Sequence, residues 1–499
     1  MGLETQNPQY AEHIEDWSTM RDLYRGERVV KNRAETYLPA TSGMRLDGME
    51  KGKEGRAAYE AYKMRAVFHD YVKDGVEMLI GLLHQKPATI ELPKAMEPMR
   101  ERATINGESL LLLLRRINEE QLIPGRLGLL ADLPPNPDPA NPIPHLSLYI
   151  AESINNWDDG SYTEDLSSLN LVVLNETAFK RDDDFAWELQ EKYRVLQLGV
   201  LAENEAEGTA TYLQGTFESK VYAAAQMKAP TLRGSTLEQI PFVFINSKDI
   251  VAAPDEPPLM GLGRLVLAIY RGEADYRQNL YMQGQDTLVT IGGLLKQSGS
   301  LDAATDEGAT TLRTGAGSRI DIEMGGDAKY IGVSSQGLAE QRAALENDKK
   351  QAETKAGQMI SGASNQESGE ALRTRMAAQT ATLNQIALAG AAGLEQILKV
   401  VATWMGANPD EVKVTPNVEF ADFELSGQEI VYLMTARSMG APLSKESIHN
   451  LMVERGITKL DFETEMDIIA EEDAGAAPLG TTAGGDPVLP TGDPLAEDE

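Results

Sequence analysis

An α+β fold is predicted for this chain, on three observations. Between Ser168 and Val251 short period-two runs alternate with charged turns, which predicts an antiparallel meander. Between Pro257 and Gln358 two helical patterns flank a glycine- and β-rich insert. From Ala371 to Ala407 an alanine-rich, nearly uncharged helical pattern follows. A helix that is small and smooth on every side must lie against neighbours on most faces. One chain of this composition can hardly supply them all, so the segment points to a ring of identical subunits.

The elements follow in chain order. Trp17, Met20, Leu23 and Tyr24 recur at helical spacing in a helical lead-in, followed by a basic turn at GERVVKNR. Residues 41–58 are glycine-rich and charged and read as a mobile loop. Tyr59, Tyr62, Val67, Tyr71, Val76, Leu79 and Leu83 mark one amphipathic helix that Pro87 stops. Gly107–Gln121 holds a run of five leucines, a helix buried on more than one side. Gly125-Arg126-Leu127-Gly128 leads into a short strand, LLADLP. Six of the eleven residues of PPNPDPANPIP, which begins at Pro134, are proline, so an extended loop follows. HLSLYI is a strand by alternation, and the meander comprises LNLVVLNETAF, WELQEKYRVLQLGV, ATYLQGTF, SKVYAAA and IPFVFINS. Leu259, Leu262, Leu265, Val266, Ile269 and Tyr270 form the stripe of the next helix. TLVTIGGLL, TTLRTGAGSRIDIEM and AKYIGV supply the strands of the insert. KVTPNVEF is a late strand, before two helices at QEIVYLMTARSMG and KESIHNLMVERGI. From Glu471 onward there is no Lys or Arg, and the residues read as a disordered acidic tail.

Composition narrows the functional classes. The chain has 499 residues and no cysteine, which removes disulfides, thiolate catalysis and thiolate metal sites. No uninterrupted apolar run reaches transmembrane length, and the acidic N-terminus lacks the apolar core of a secretory signal. The net charge of −31 argues against gripping nucleic acid, which needs clustered Lys and Arg to release counterions. It fits two readings: acidity that keeps an abundant protein soluble, or a like-charged wall that lets a duplex slide past.

No motif for catalysis emerges. His13, His69, His84, His145 and His449 show no metal-ligand spacing and read as surface or packing residues. There is no nucleophile elbow and no phosphate-binding loop. The expectation is a non-enzyme with no cofactor and no metal. Gly261-Leu262-Gly263 reads as a close-packing notch in a helix rather than a dinucleotide site. Asp158-Asp159, Asp182-Asp183-Asp184 and Asp302/Asp306/Glu307 read as solvated turns. Arg21, Arg25, Arg28, Lys31 and Arg33 read as a solvated edge or as contacts to a neighbouring acidic subunit.

The order of these elements resembles the portal proteins of tailed double-stranded DNA bacteriophages, and one portal family in particular, long known only as a domain of unknown function. The resemblance rests on YAEHIEDWSTMRDLYRGERVVKNRAETYLP, YEAYKMRAVFHDYVKDGVEMLIGLLHQKP, IPFVFINS with PLMGLGRLVLAIYRGEADYRQNLYMQGQDTLV, and TARSMGAPLSKESIHNLMVERGI. It covers about Tyr10 to Glu472.

The resemblance implies a map. Residues 1–256 are an outward-facing wing of α/β character. Residues 257–284 are a first stem helix, 285–334 a clip, 335–358 a second stem helix and 359–370 a tunnel loop. Residues 371–427 hold the spine helix and a return strand of the wing, 428–470 the crown helices and 471–499 the tail. It implies a ring of twelve at the portal vertex of the virion, assembled in the host cytoplasm, with no membrane partner. The genome passes through non-specifically, in during packaging and out during ejection. The clip docks the terminase large subunit and later head-completion or tail adaptor proteins, and the wing faces the major capsid or scaffolding protein. The alternative is another structural virion component, a head–tail adaptor or minor capsid protein.

The residues themselves fit that map. As helix, Ser335–Gln358 spans about 36 Å. Lys349, Lys350 and Lys355 are candidates either for weak phosphate contacts or for i,i+4 pairing with Glu346 and Glu353. Gly362, Ser364, Asn365, Ser368 and Gly369 make a small, polar tunnel loop or an ordinary helix–helix connector.

Overall fold

The computed structural model describes residues 2–134, 143–160, 169–199, 210–283, 287–291, 327–331, 336–357, 369–418, 427–454, 458 and 460–475. The chain divides into two compact units, Met1–Phe420 and Ala421–Glu499.

The first unit opens with helices α1 (Pro8–Arg25), α2 (Glu27–Asn32), α3 (Ser42–Leu46), α4 (Glu54–Arg65) and α5 (Tyr71–Leu83). Asn7 caps α1 by accepting the Gln9 amide, and Pro8 occupies the first turn, where its missing N–H is no loss. Trp17, Met20 and Leu23 are fully buried, as their spacing predicts. The basic turn is the helix α2. The expected loop at 41–58 instead contains α3 and the start of α4, because Gly55 lets the two helices touch. A Cβ there would lie 2.0 Å from the Met44 carbonyl oxygen. The single helix expected from Tyr59 to Leu83 is two helices. Ala66 is extended, which lets Phe68 turn inward and meet the Tyr270 ring edge-on at 5.8 Å.

Strand β1 (Thr89–Glu91) precedes α6 (Leu110–Leu122), β2 (Arg126–Asp132), β3 (His145–Ile150) and β4 (Ile154–Asp158). Then come β5 (Leu171–Asn175), β6 (Ala178–Arg181), β7 (Trp187–Gln190), β8 (Tyr193–Gly199), β9 (Thr211–Phe217) and β10 (Phe242–Asn246). β2 begins earlier than LLADLP and includes Gly128, over which the Phe242 ring lies so closely that a Cβ would be 2.1 Å from it. The meander is β4-β5-β8-β9, and β6-β7 extends the β5-β8 hairpin outward. Two expected members leave it. IPFVFINS supplies β10, which pairs with β2 in a separate sheet, β10-β2-β3. SKVYAAA forms a short bridge to Gly2 and a 3-10 turn instead of a strand. All strand pairings among the described residues are antiparallel.

After β10 come α7 (Met260–Gln283), β11 (Thr287–Ile291), β12 (Asp327–Ile331) and α8 (Gln336–Gly357). β11 and β12 pair with each other, so the described part of the 285–334 insert is an antiparallel ribbon between two helices. α9 (Gly369–Met405) and β13 (Lys413–Thr415) complete the unit, β13 pairing with β1. The fold is α+β.

Two large cores, and a small one formed by Leu3, Val173, Tyr193, Val195 and Phe217, hold this unit. One large core packs α6 and α9 on β2 and β10, with Leu113, Ile117, Leu129, Ile245, Leu394 and Leu398 among its members. The other joins the C-terminal half of α1 to α4, α5, α7, α8 and Leu383 and Ile386 of α9. This corrects the first inference from composition. Along Ala381–Met405 the neighbours of the smooth helix come from its own chain. Leu383, Ile386, Ala387, Ala391, Leu394, Ile397, Leu398 and Val401 are buried, and Gln385, Leu388, Ala392 and Gln396 make the exposed face. The same stretch is long and apolar enough to cross a membrane by length and composition alone. Its packing makes it a core helix.

The second unit contains α10 (Gly427–Ser438), α11 (Lys445–Glu454) and α12 (Phe462–Gly475). α12 runs past Glu471, so the first residues of the expected disordered tail are helical; residues 476–499 lie outside the described residues.

Candidate functional site

The α7–α8 pair is the candidate site, because it carries the β11-β12 ribbon and the three lysines. Antiparallel packing follows from the sequence of each face. α8 buries only Leu345, Ala352 and Ala356, a narrow apolar stripe, and leaves a broad charged face exposed. Gly272 of α7 receives Leu345 so closely that a Cβ there would stand 2.9 Å from its methyl group. Nearer the ribbon, Asn279 donates to Gln341 at 3.0 Å.

Glu273 is the electrostatic centre of the pair. It falls in the apolar stripe of α7, beside Tyr270 and Ala274, and is 2% exposed. A carboxylate buried there needs cations. Lys349 of α8 donates to its Oε1, Arg277 donates to Oε2 at 2.7 Å, and His69 Nε2 stands 3.7 Å away. Burial works against ionisation, but the Lys349 ammonium and the Arg277 guanidinium outweigh it and hold the carboxyl below its ordinary value.

The pair is anchored to α4 and α5. Tyr62 donates its hydroxyl to Asp275 at 2.6 Å, Arg65 donates to Gln278 and covers the Tyr281 ring at 4.1 Å, and Tyr71 donates to Glu353 at 3.3 Å. Burial and then the Asp275 carboxylate push the Tyr62 hydroxyl far above its usual range. Gly263 is a notch, as read: a Cβ there would lie 2.6 Å from Met20 Sδ. Gly261 faces open space apart from Lys355 Nζ at 3.9 Å.

The three lysines separate. Lys349 turns inward to Glu273 rather than to Glu346, which takes Arg342 at 2.7 Å. Lys350 and Lys355 are exposed and make no ion pair among the described residues. Gly362, Ser364, Asn365 and Ser368 of the expected tunnel loop lie outside the described residues, and Gly369 is the first residue of α9. Sequence reading missed Glu273. Its signal was a lone acid at a stripe position, four residues after Ile269.

Three of the five residues of the basic edge of α1 and α2 are paired within the chain, whereas Arg25 and Arg28 are exposed and make no ion pair among the described residues. Arg21 donates to Glu120 at 2.7 Å and to Glu152, Arg33 donates to Asp22 at 2.7 Å, and Lys31 pairs with Glu27 at 2.8 Å. Burial opposes the charge on Arg21, but Glu152 and Glu120 outweigh it and raise its guanidinium further. Among the described residues no group of three or more His, Asp or Glu could hold a metal ion. A shallow groove of about 380 Å³ runs along α9 and β13 past Leu388, Ala392 and Val414. Its carboxylate, Glu395, is engaged by Lys399 at 2.6 Å and by the Val414 amide at 3.0 Å.

Comparison with known proteins gives three results. Residues 258–405, from α7 through α9, match the family model described as a domain of unknown function, DUF4055; this is less than half of the chain. No curated protein matches the sequence. Among solved structures, the chain is similar to one from the neck of a native gene transfer agent particle computed with C12 symmetry, with a TM-score of 0.36, 14% identity, and coverage of 77% of this chain and 89% of that one. It is also similar to one from the neck of an empty particle computed with C6 symmetry, with a TM-score of 0.37, 13% identity, and 77% and 90% coverage. A third, from the virion of the native particle, has a TM-score of 0.35, 13% identity, and 83% and 98% coverage.

Proposed function

We propose that the chain is a portal protein of a tailed double-stranded DNA bacteriophage, a non-enzymatic ring of twelve copies through which the genome is packaged and ejected. One observation carries this reading. α7 and α8 form an antiparallel stem, anchored by one face in the core, that bears a β ribbon at its far end. The exposed face of α8 mixes signs and carries Glu340, Arg342, Glu346, Lys350, Glu353 and Lys355. A channel wall of this kind offers scattered, weak phosphate contacts without a basic surface that would arrest a sliding duplex.

In this reading the ribbon and its surrounding insert dock the terminase large subunit and later the head-completion or tail adaptor protein. The major capsid or scaffolding protein meets the outer face of the first unit, and the ring sits at the virion's portal vertex after assembly in the bacterial cytoplasm. This reading takes residues 359–370, of which 359–368 lie outside the described residues, as the tunnel loop. Deleting Gly362–Gly369 and supplying the variant to a phage lacking its own copy tests the function. The reading expects assembled particles that fail to fill or to hold their genome. Normal filling and retention would overturn it.

A further inference from the structure

Arg126, the first residue of β2, is an arginine with no exposed surface. Its guanidinium lies between two rings, 4.5 Å from the centre of Trp157 on β4 and 4.4 Å from that of Phe244 on β10. Nη1 donates to the Ala252 carbonyl at 2.5 Å. Nε and Nη2 make up the side-on fork that grips a carboxylate elsewhere in proteins, and here neither has a hydrogen-bond partner among the described residues. Burial draws the guanidinium down to about 9, against the effect of the Asp249 and Asp255 carboxylates, which leaves it charged at neutral pH. A buried charge with unmet donors costs free energy, so an acceptor has to reach that fork.

Asn246, equally buried, has the opposite need. It faces Arg126 across the β2–β10 pair, so the two side chains leave the same face of the sheet. Its Nδ2 donates to Asp249 Oδ1 at 2.9 Å and to the Val251 and Ala253 carbonyls at 3.0 and 2.7 Å. Three acceptors around the NH2 fix which way the amide points. Oδ1 is then a buried acceptor with no donor among the described residues. Both side chains end on consecutive carbonyls, those of Val251, Ala252 and Ala253, in the strap that joins β10 to α7. The unmet donors and the unmet acceptor therefore stand at one place.

These needs select the ligand. It must accept from Arg126 and donate to Asn246. The guanidinium repels a cation. An anion brings no proton for Oδ1 and meets the charges of Asp249 and Asp255, which already act on the guanidinium. Water accepts and donates, and Nε, Nη2 and Oδ1 give it the number of polar partners that buried waters have. We infer that a buried water site lies between Arg126 and Asn246, the water accepting from the Nε and Nη2 fork and donating to Oδ1. With the bonds to Val251, Ala252 and Ala253, this water ties the strap to the sheet and so holds the root of α7. The site belongs to the fold and stands independently of the portal reading.

Crystals of the full unmodified chain, diffracting well enough to show ordered water, test the site, with a second data set from crystals soaked in sodium bromide. The expected result is a density peak within hydrogen-bond distance of both the Arg126 fork and Asn246 Oδ1, with no bromide anomalous signal. Anomalous signal at that peak would make it an anion site and overturn the inference. An Asp249 or Asp255 carboxylate seated on the fork, a direct bond from the fork to Asn246 Oδ1, or a fork with no density beside it would overturn it as well.

Discussion

Gly393 of α9 lies against Ile245 of β10 so closely that a Cβ at 393 would stand 2.3 Å from Ile245 Cγ1. Gly390, one turn earlier, is as tight: a Cβ there would lie 2.6 Å from both Asn118 Nδ2 and Gln121 Oε1. Those two amides are joined at 2.9 Å, and Gln121 continues to the Asn246 carbonyl at 2.7 Å. Neither neighbour can withdraw, since Ile245 and Gln121 are fully buried. Gly393→Ala and Gly390→Ala should each destabilise the first unit by about 1–2 kcal/mol, overpacking outweighing the better helix propensity of alanine. Urea unfolding of the two variants checks this through the transition midpoint.

Glu273→Gln should loosen the stem. It leaves Lys349 without its carboxylate, at a cost of about 1–3 kcal/mol, less than for a fully buried pair because Lys349 keeps some solvent. Lys349→Met added to it should restore part of the loss, because the orphaned charge goes too. A double-mutant cycle by thermal unfolding measures the coupling.

The same carboxylate sets an acid limit. Its folded value lies below the ordinary one, held there by Lys349 and Arg277 against the effect of burial. Between the two values the unfolded chain binds a proton that the folded chain does not, so stability falls as pH falls. The Glu273 contribution is complete above the ordinary carboxyl value of about 4.5 and is lost as pH drops through the folded value. Glu273→Gln should flatten that part of the stability–pH curve, as read by denaturant titrations at stepped pH.

The parts of this fold that sequence makes legible are those where one face decides. Trp17, Met20 and Leu23 on α1 and the stripe from Leu262 to Tyr270 on α7 declare their buried sides by spacing. Partners distant in sequence were not legible. IPFVFINS has the same alternation whether it joins the meander or β2, and only the Phe242 ring over Gly128 shows which it does. The break at Ala66 was hidden because Phe68 serves the same core as the stripes on either side of it. The smooth, alanine-rich surface of α9 points in sequence to ring neighbours, whereas Gly390 and Gly393 are notches for its own chain. Lys349 was placed among the channel candidates without Glu273, which stands on another helix.

The lysines of α8 should behave differently from one another. Lys350 and Lys355 are exposed, so Lys350→Glu/Lys355→Glu should leave unfolding within about 0.5 kcal/mol of the parent, as surface changes do. In the channel reading the double variant slows packaging and shortens the packaged genome. Lys349→Met should do the reverse, lowering stability with little effect on packaging at permissive temperature. Parallel packaging and unfolding assays on both variants distinguish these roles.

The central claim is that copies of this chain close into a ring around a hole lined by α8. Electron microscopy of the purified protein, carried to a three-dimensional reconstruction without imposed symmetry, addresses it most directly. The account predicts twelvefold rings with the α7–α8 stem around the central opening and the charged face of α8 toward it. A monodisperse monomer at every salt concentration, or a ring whose opening is lined by other elements, would contradict it.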